Sequence, residues 1–332
     1  MRVVVLGGTW FIGRRIVEEM VARGDDVVVV HGGRTEAPAG ACSLHADRAD
    51  FAAAAQDVRR FAPDAVVDTF ALSARDAEAV LPHLPDVPSV VLSSCDVYRA
   101  YELLRAGRDG EPVPLTEASA VRAGRYPYRG TGDSARLGED LDDYEKLDVE
   151  PAYLARGGAV LRLGFVYGEH DQQRREEPVL RRVRAGRTAI PVGAGTWLGS
   201  RCYVGDVAAA VLAVLDRPER AAGEVFNVAE TASRTVRGWM QQILDAAGSV
   251  AQLVAVPDDV LPPDLVMSRS VAQHLLVDAA KLRTLLGWQP SRPEASMSAS
   301  VRWHLDHPPP EPDEDFTADD EALAAADRGA GA

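Results

Sequence analysis

The sequence predicts an α/β fold: a doubly wound parallel sheet with a smaller C-terminal lobe. Three observations carry that expectation. Short β-branched runs are apolar throughout, they alternate with helical patterns, and a glycine-rich turn joins the first strand to the first helix. Strands that are hydrophobic at every position suit a parallel sheet covered on both faces. Their alternation with helices at this spacing marks βαβ units.

The expected strands are residues 2–6, 26–31, 41–45, 65–70 and 89–93, with a further one at 159–163. Helical patterns fall at 11–23, 51–61 and 73–84. Residues 107–132, rich in Gly, Pro and Arg, are expected to form an irregular excursion above the sheet, the kind of long loop that commonly carries function. Beyond residue 168 the pattern shifts to mixed helices and short strands punctuated by proline. The last stretch, from Pro308, is acidic and poor in large apolar residues, which predicts a loosely attached tail.

The first turn reads Gly7-Gly8-Thr9-Trp10-Phe11-Ile12-Gly13. Gly7 and Gly13 suit a tight turn and close helix–strand packing, and the helix N-terminus offers free N–H groups to a pyrophosphate. Trp10 stands where a third glycine is usual. Gly7, Thr9, Trp10, Phe11, Ile12 and Gly13 are therefore expected around a dinucleotide. No acidic residue ends the second strand, and Arg34 follows it, which favours the 2′-phosphate of NADP(H) over NAD(H). Asp47 and Arg48, past the third strand, are expected at the adenine, and Phe70 at the end of the fourth strand completes the set. Residues 1–167 are thus expected to form mainly a dinucleotide-binding domain and 168–307 mainly a substrate-binding lobe with some interleaved elements, leaving 308–332 as the acidic tail.

Composition bounds the function. The 332 residues are 46% hydrophobic and 26% charged, enough for a sizeable core. A formal net charge of −14 repels polyanions and argues against nucleic acid as a partner. Cys42, Cys95 and Cys202 are widely spaced and show no metal-ligand pattern, so no metal is expected. With no signal-peptide pattern and no apolar run near the roughly 20 residues of a membrane span, a cytoplasmic location is expected. Lys146 and Lys281 are the only lysines.

The chain resembles the extended short-chain dehydrogenase/reductase superfamily, in its NAD-dependent epimerase/dehydratase branch. The resemblance rests on "GGTWFIG" at 7–13, "SSCDVY" at 93–98, "EKLDVE" at 145–150, "LRLGFVYG" at 161–168, "YVGDVAAAV" at 203–211, "GEVFNVAE" at 223–230 and "DAAKLRTLLGWQP" at 278–290. These occur in the family's order and span nearly the whole chain. The altered glycine turn resembles atypical members, among them chloroplast stem-loop-binding proteins. The resemblance implies a Rossmann domain, a nicotinamide cofactor across the strand ends, and chemistry at a hydroxyl or carbonyl carbon facing it. It also implies a homodimer, to which an apolar flank of Leu137, Leu141, Tyr144, Leu147 and Leu154 is one candidate surface.

The family's hydroxyl residue at the end of the fifth strand falls on Ser94, four residues before Tyr98, and Asp96 falls where dehydratase-like members carry an acid/base residue. Lys146 aligns with the family lysine that holds the nicotinamide ribose, and Asp142 then occupies the place of the usual tyrosine. On a continuous helix Tyr144 would lie about 200° from Lys146 and join the core flank, while Asp142 would pair with Lys146. The usual Tyr-x-x-x-Lys pair is absent at this spacing, so Asp142, Tyr126, Tyr128 and His170 are weighed as substitute donors. Tyr98, Tyr128, Phe165, His170 and Arg201 are expected near a small-molecule substrate. Asp206 is expected to cap the Ala-rich helix that follows it. The arginines at 174, 175, 181, 182, 184 and 187 read as a solvated helix face or a phosphate site. The implied function is an NAD(P)(H)-dependent oxidoreductase or epimerase of a small molecule. A nucleotide-sugar epimerase/dehydratase with retained cofactor and a non-catalytic cofactor-sensing or RNA-binding protein are the alternatives.

Overall fold

The structure is a computed structural model that describes residues 1–132 and 140–330, the last four by backbone alone. In chain order the first strands are β1 (Arg2–Leu6), β2 (Asp26–His31), β3 (Cys42–His45), β4 (Ala65–Asp68), β5 (Ser89–Ser94) and β6 (Ala159–Leu163). They are followed by β7 (Phe165–Tyr167), β8 (Ala189–Val192), β9 (Arg201–Tyr203), β10 (Val225–Val228) and β11 (Gln252–Ala255). Seven of these form one parallel sheet in the order β10-β6-β5-β4-β1-β2-β3, the Rossmann arrangement extended at one edge. Two small pairs, β7 with β9 and β8 with β11, lie outside it.

Side-chain alternation explains how apolar strands feed two layers. Val3, Val4 and Val5 of β1 pair with Val27, Val28 and Val29 of β2 and with Ala65, Val66 and Val67 of β4. Successive residues point to opposite faces. Val3, Val5, Val29 and Val67 therefore pack with the layer of α1 (Phe11–Arg23), while Val4, Leu6 and Val66 pack with Val149 and Tyr153 from the opposite layer. α1 stops at Gly24, whose φ of 89° gives the left-handed cap that glycine adopts at least cost.

The next helices are α2 (Ala55–Phe61), α3 (Ala74–Val80), α4 (Arg99–Arg105) and α5 (Lys146–Leu154). The helix expected over 51–61 is split, because the Asp47 carboxylate accepts the Ala49 N–H at 2.9 Å and starts a 3₁₀ turn at Arg48. The strand expected to reach Phe70 ends at Asp68, whose own carboxylate accepts the Phe70 N–H at 3.0 Å and turns the backbone. α3 begins with a capping box between Ser73 and Asp76.

The C-terminal half carries α6 (Glu177–Arg184), α7 (Val204–Leu215), α8 (Val236–Ala246), α9 (Ala280–Leu286), α10 (Pro293–Asp306) and α11 (Thr317–Ala330). Two sequence expectations are corrected together here. The acidic tail is not loose: it ends in α11, and its carboxylates meet the arginine run of α6. Arg182, fully buried, forks onto the buried Asp319 at 2.7 Å through each of two nitrogens and also holds Asp264. Arg181 reaches Asp264 and Asp313, each at 2.8 Å, and Arg187 pairs with Asp320. Composition suggested a solvated face and a disordered tail because each alone is too polar to fold; together they neutralise one another. Asp206 is likewise no cap. It accepts the Ser291 N–H at 2.8 Å and hydroxyl at 2.7 Å, pinning the segment before α10. Of the apolar flank proposed for a dimer, Leu137 lies outside the described residues, and Leu141 and Tyr144 are buried within the subunit.

Among the described residues no helix is long and apolar enough to cross a membrane, and no cluster of three or more His, Cys, Asp or Glu is placed to hold a metal. Removing one partner of a buried ion pair strands the other charge, at a cost of about 3–5 kcal/mol. Asp319→Ala is accordingly expected to lower the urea-unfolding free energy by about 3 kcal/mol, whereas a tail that is merely tethered would leave it unchanged.

Candidate active site

Sterics at the glycine turn come first. Gly7 has φ +91°, and a Cβ there would meet Thr69 Oγ1 at 2.7 Å. A Cβ on Gly13 would meet the same Oγ1 at 2.9 Å and the Gly7 carbonyl oxygen at 3.1 Å. Thr69 donates to the Leu6 carbonyl at 2.9 Å, so this wedge is fixed and both positions require glycine. Residue 10 is different. Its backbone is extended, with φ −137° and ψ 145°, which any residue adopts, and the indole is 45% exposed. Trp10 supplies no side-chain cap to α1, and the first turn of that helix has no acidic residue to neutralise its N–H groups. Thr9 Oγ1 accepts from Thr35 Oγ1 at 2.6 Å, tying the turn to the loop after β2 that carries Arg34. A cavity of about 100 Å³ beside it is lined by Leu6, Gly7, His31, Gly32, Arg48 and Phe70, among others. These features fit a dinucleotide laid over the turn.

Arg48 lines that cavity, but its charge is committed inward. It forks onto Asp68 at 2.6 and 2.9 Å, and Tyr153 donates its hydroxyl to the same buried carboxylate. Burial alone would raise the Asp68 pKa; the Arg48 guanidinium outweighs it and holds the carboxylate below its usual range. Asp47 is exposed and occupied as a turn cap, so of the pair expected at the adenine only Arg48 borders the cavity.

The second cluster sits at the end of β5. Ser94 Oγ accepts the Asp96 N–H at 3.2 Å, starting a 3₁₀ turn that carries Asp96 into the interior, where it is 2% exposed. Asp96 Oδ2 accepts the Tyr144 hydroxyl at 2.8 Å and the Tyr128 hydroxyl at 2.9 Å. Its Oδ1 is buried with no hydrogen-bond partner among the described residues. Burial pushes the Asp96 carboxyl above its usual range against these hydrogen bonds. Burial, and then the Asp96 charge, raises the Tyr144 and Tyr128 hydroxyls well above theirs, so both are proton carriers at neutral pH. Lys146 is 5% exposed and donates to the Ala71 carbonyl at 2.5 Å and the Leu92 carbonyl at 3.0 Å. Burial pushes its ammonium down to about 8.

The excursion is held over this cluster by a buried ion pair. Arg122 forks onto Glu145, at 2.9 Å through Nη1 and more closely through Nη2, and its Nε donates to the Asp96 carbonyl at 3.1 Å. The Tyr126 N–H donates to the same Glu145 carboxylate at 2.8 Å.

Ser94, Asp96, Tyr128 and Lys146 are thus brought together, and Tyr144 joins them against expectation. The helix begins at Lys146, with Glu145 as its cap, and residues 141–145 form a turn. The helical wheel that set Tyr144 on the flank opposite Lys146 therefore does not apply. The same fact removes Asp142, which is exposed, accepts the Gly130 N–H at 3.2 Å and makes no helical pair with Lys146. The readable signal was Glu145, whose carboxylate accepts the Leu147 N–H at 3.1 Å as an N-cap does. Tyr126 is placed by the excursion under the Arg129 guanidinium, 3.9 Å away, and not on Asp96. Tyr98, expected near a substrate, is fully buried and donates to Asn227 Oδ1 at 2.6 Å. Phe165 packs edge-on against Trp197 at 5.4 Å, beneath the Arg175 guanidinium. Its β-ladder partner Arg201 is buried over Trp239, and burial pushes its guanidinium down to about 10. His170 packs tilted against Trp303 at 4.7 Å, and burial, then the Arg14 charge, lower its imidazole below the usual range.

A family model described as the NAD dependent epimerase/dehydratase family matches residues 150–229. Over that stretch the chain is similar to the NAD-dependent epimerase/dehydratase family. It is 27% identical over 314 residues to a 3-diazoavenalumate denitrifying reductase from Streptomyces, covering 88% of this chain and 97% of that protein. It is 23% identical over 312 residues to the chloroplast stem-loop binding protein of 41 kDa b from Arabidopsis thaliana, covering 87% of this chain and 75% of the relative. Its fold is similar to that of UDP-glucose 4-epimerase from Bifidobacterium longum, solved in complex with NAD+ and UDP, with a TM-score of 0.67, 18% identity and coverage of 93% and 99%.

Two measurements test this geometry. Below a pH of about 8 the Lys146 ammonium has three N–H groups, two of them on carbonyls. Above it the neutral amine has only the two already used. Dinucleotide affinity, measured by calorimetry across that pH, is expected to fall as pH rises, and Lys146→Met is expected to flatten the profile. Trp10→Gly should change the same affinity by less than about threefold, under 1 kcal/mol, whereas Gly13→Val should abolish it by filling the turn.

Proposed function

We propose that the protein is an NAD(P)(H)-dependent oxidoreductase or epimerase acting at a hydroxyl or keto carbon of a small molecule. The observation that carries this reading is the meeting of the Tyr144 hydroxyl, Ser94 and the buried Asp96 carboxyl at the end of β5, beside Lys146 and one strand removed from β1. When bound, the nicotinamide supplies or accepts the hydride. Tyr144 gives the proton to the oxygen as charge develops there and takes it back in the reverse direction. Ser94 orients that oxygen, and Lys146 holds the ribose with its third N–H. NADP(H) is favoured over NAD(H), because the loop after β2 offers Arg34 and no acidic residue to the adenosine ribose.

The Streptomyces relative's designation as a reductase supports reduction over sugar epimerisation as the first activity to seek. The RNA-binding alternative is weakened by the net charge of −14 and by a buried acid–tyrosine cluster that binding a polyanion would not require. The test is calorimetric titration with NADPH and NADH, followed by NADPH oxidation with a panel of ketones and quinones. Tyr144→Phe is expected to lower kcat by about 10²–10⁴-fold with cofactor affinity unchanged, and Ser94→Ala to lower it less. Undiminished turnover in Tyr144→Phe would falsify the assignment.

A further inference from the structure

We infer that Asp96, Tyr128 and Tyr101 form a proton relay that connects Tyr144 to solvent. The inference rests on the reading of Tyr144 as the proton donor. The links are continuous: Tyr144 hydroxyl to Asp96 Oδ2 at 2.8 Å, Asp96 Oδ2 to Tyr128 hydroxyl at 2.9 Å, and Tyr128 hydroxyl to Tyr101 hydroxyl at 3.1 Å. Every step is within hydrogen-bond reach. Tyr101 lies on α4, and Arg105, one turn further along, approaches its hydroxyl at 3.4 Å from an exposed position. The chain therefore runs from the interior to the surface.

Tyr144 needs such a path. It is 8% exposed, and the Tyr128 ring closes over it edge-on at 5.0 Å, so bulk water has little access to its hydroxyl. Lys146 spends two protons on backbone carbonyls. In reduction, Tyr144 loses its O–H proton to the alkoxide left when hydride arrives from NAD(P)H. Asp96 Oδ2 takes the Tyr128 proton and passes it to the Tyr144 oxygen, Tyr128 takes that of Tyr101, and Tyr101 is reprotonated by water beside Arg105. One proton has moved from solvent to product and the relay is restored; oxidation runs it backwards. Burial, which favours the neutral carboxyl, keeps Asp96 able to donate.

The test uses Tyr128→Phe and Tyr101→Phe in the full chain, with NADPH and 9,10-phenanthrenequinone as the carbonyl probe. Calorimetric NADPH affinity checks that each variant folds and binds. We expect kcat to fall about tenfold in Tyr128→Phe and less in Tyr101→Phe, at nearly constant KM. The solvent isotope effect on kcat should rise, and added acetic acid should partly rescue Tyr128→Phe. Without turnover, a carboxylic C=O infrared band that disappears in Asp96→Asn should shift in Tyr128→Phe. If kcat, isotope effect and infrared band are unchanged in both tyrosine variants while Tyr144→Phe is inactive, the relay is wrong and the reading of function stands. A fully active Tyr144→Phe, or a wild type that neither binds NADPH nor oxidises it with the probe, overturns both.

Discussion

The buried pair between Arg122 and Glu145 is the constraint on which the site depends. Glu145 caps α5, accepts both arms of the Arg122 guanidinium, and takes the Tyr126 N–H. Burial would raise its pKa, but the Arg122 hydrogen bonds outweigh that and hold it below the usual range, so the pair is ionic. One carboxylate thereby decides where the helix starts, where the excursion lies, and where the Asp96 carbonyl is held. A charge pair taken out of water this completely contributes little net stability against an apolar substitute. Its role is positional: it places residues from three distant stretches of chain within reach of one carboxyl group.

Asp68 and Asp96 show how environment assigns opposite states to one residue type. Both are buried at the ends of adjacent strands, β4 and β5. Asp68 has a guanidinium against it and remains a carboxylate, while Asp96 is met by hydroxyls and favours its proton. Lys146 lies beside both, and the Asp68 charge supports its ammonium against the cost of burial. Paired groups driven apart in this way are how proteins separate an acid role from an electrostatic one.

Much of the sheet was legible because its information is local. Apolar runs, a glycine turn and strand–helix alternation are properties of neighbouring residues, and the seven-stranded sheet realises them. Gly7 and Gly13 were readable for the same reason, since steric exclusion leaves glycine alone at both. The site was legible only in part. Ser94, Asp96 and Lys146 sit on regular elements or directly after them. Tyr144 was misplaced because its orientation depends on a helix start fixed by Arg122, which is 23 residues from Glu145. The tail was misjudged for a related reason: its counter-ions on α6 lie far away in sequence, beyond the reach of any window that judges a segment by its own composition.

That last separation has a bearing on how the chain is made. Arg182 waits for Asp319 across 137 positions. At ribosomal rates of about 5–20 residues per second, the interval is roughly 7 to 30 seconds. During that time the nascent C-terminal lobe holds a guanidinium whose burial is only half compensated, by Asp264 once that residue has emerged. Completion of this lobe thus waits for α11 to emerge, while the strands β1 to β6 are free to assemble well before it.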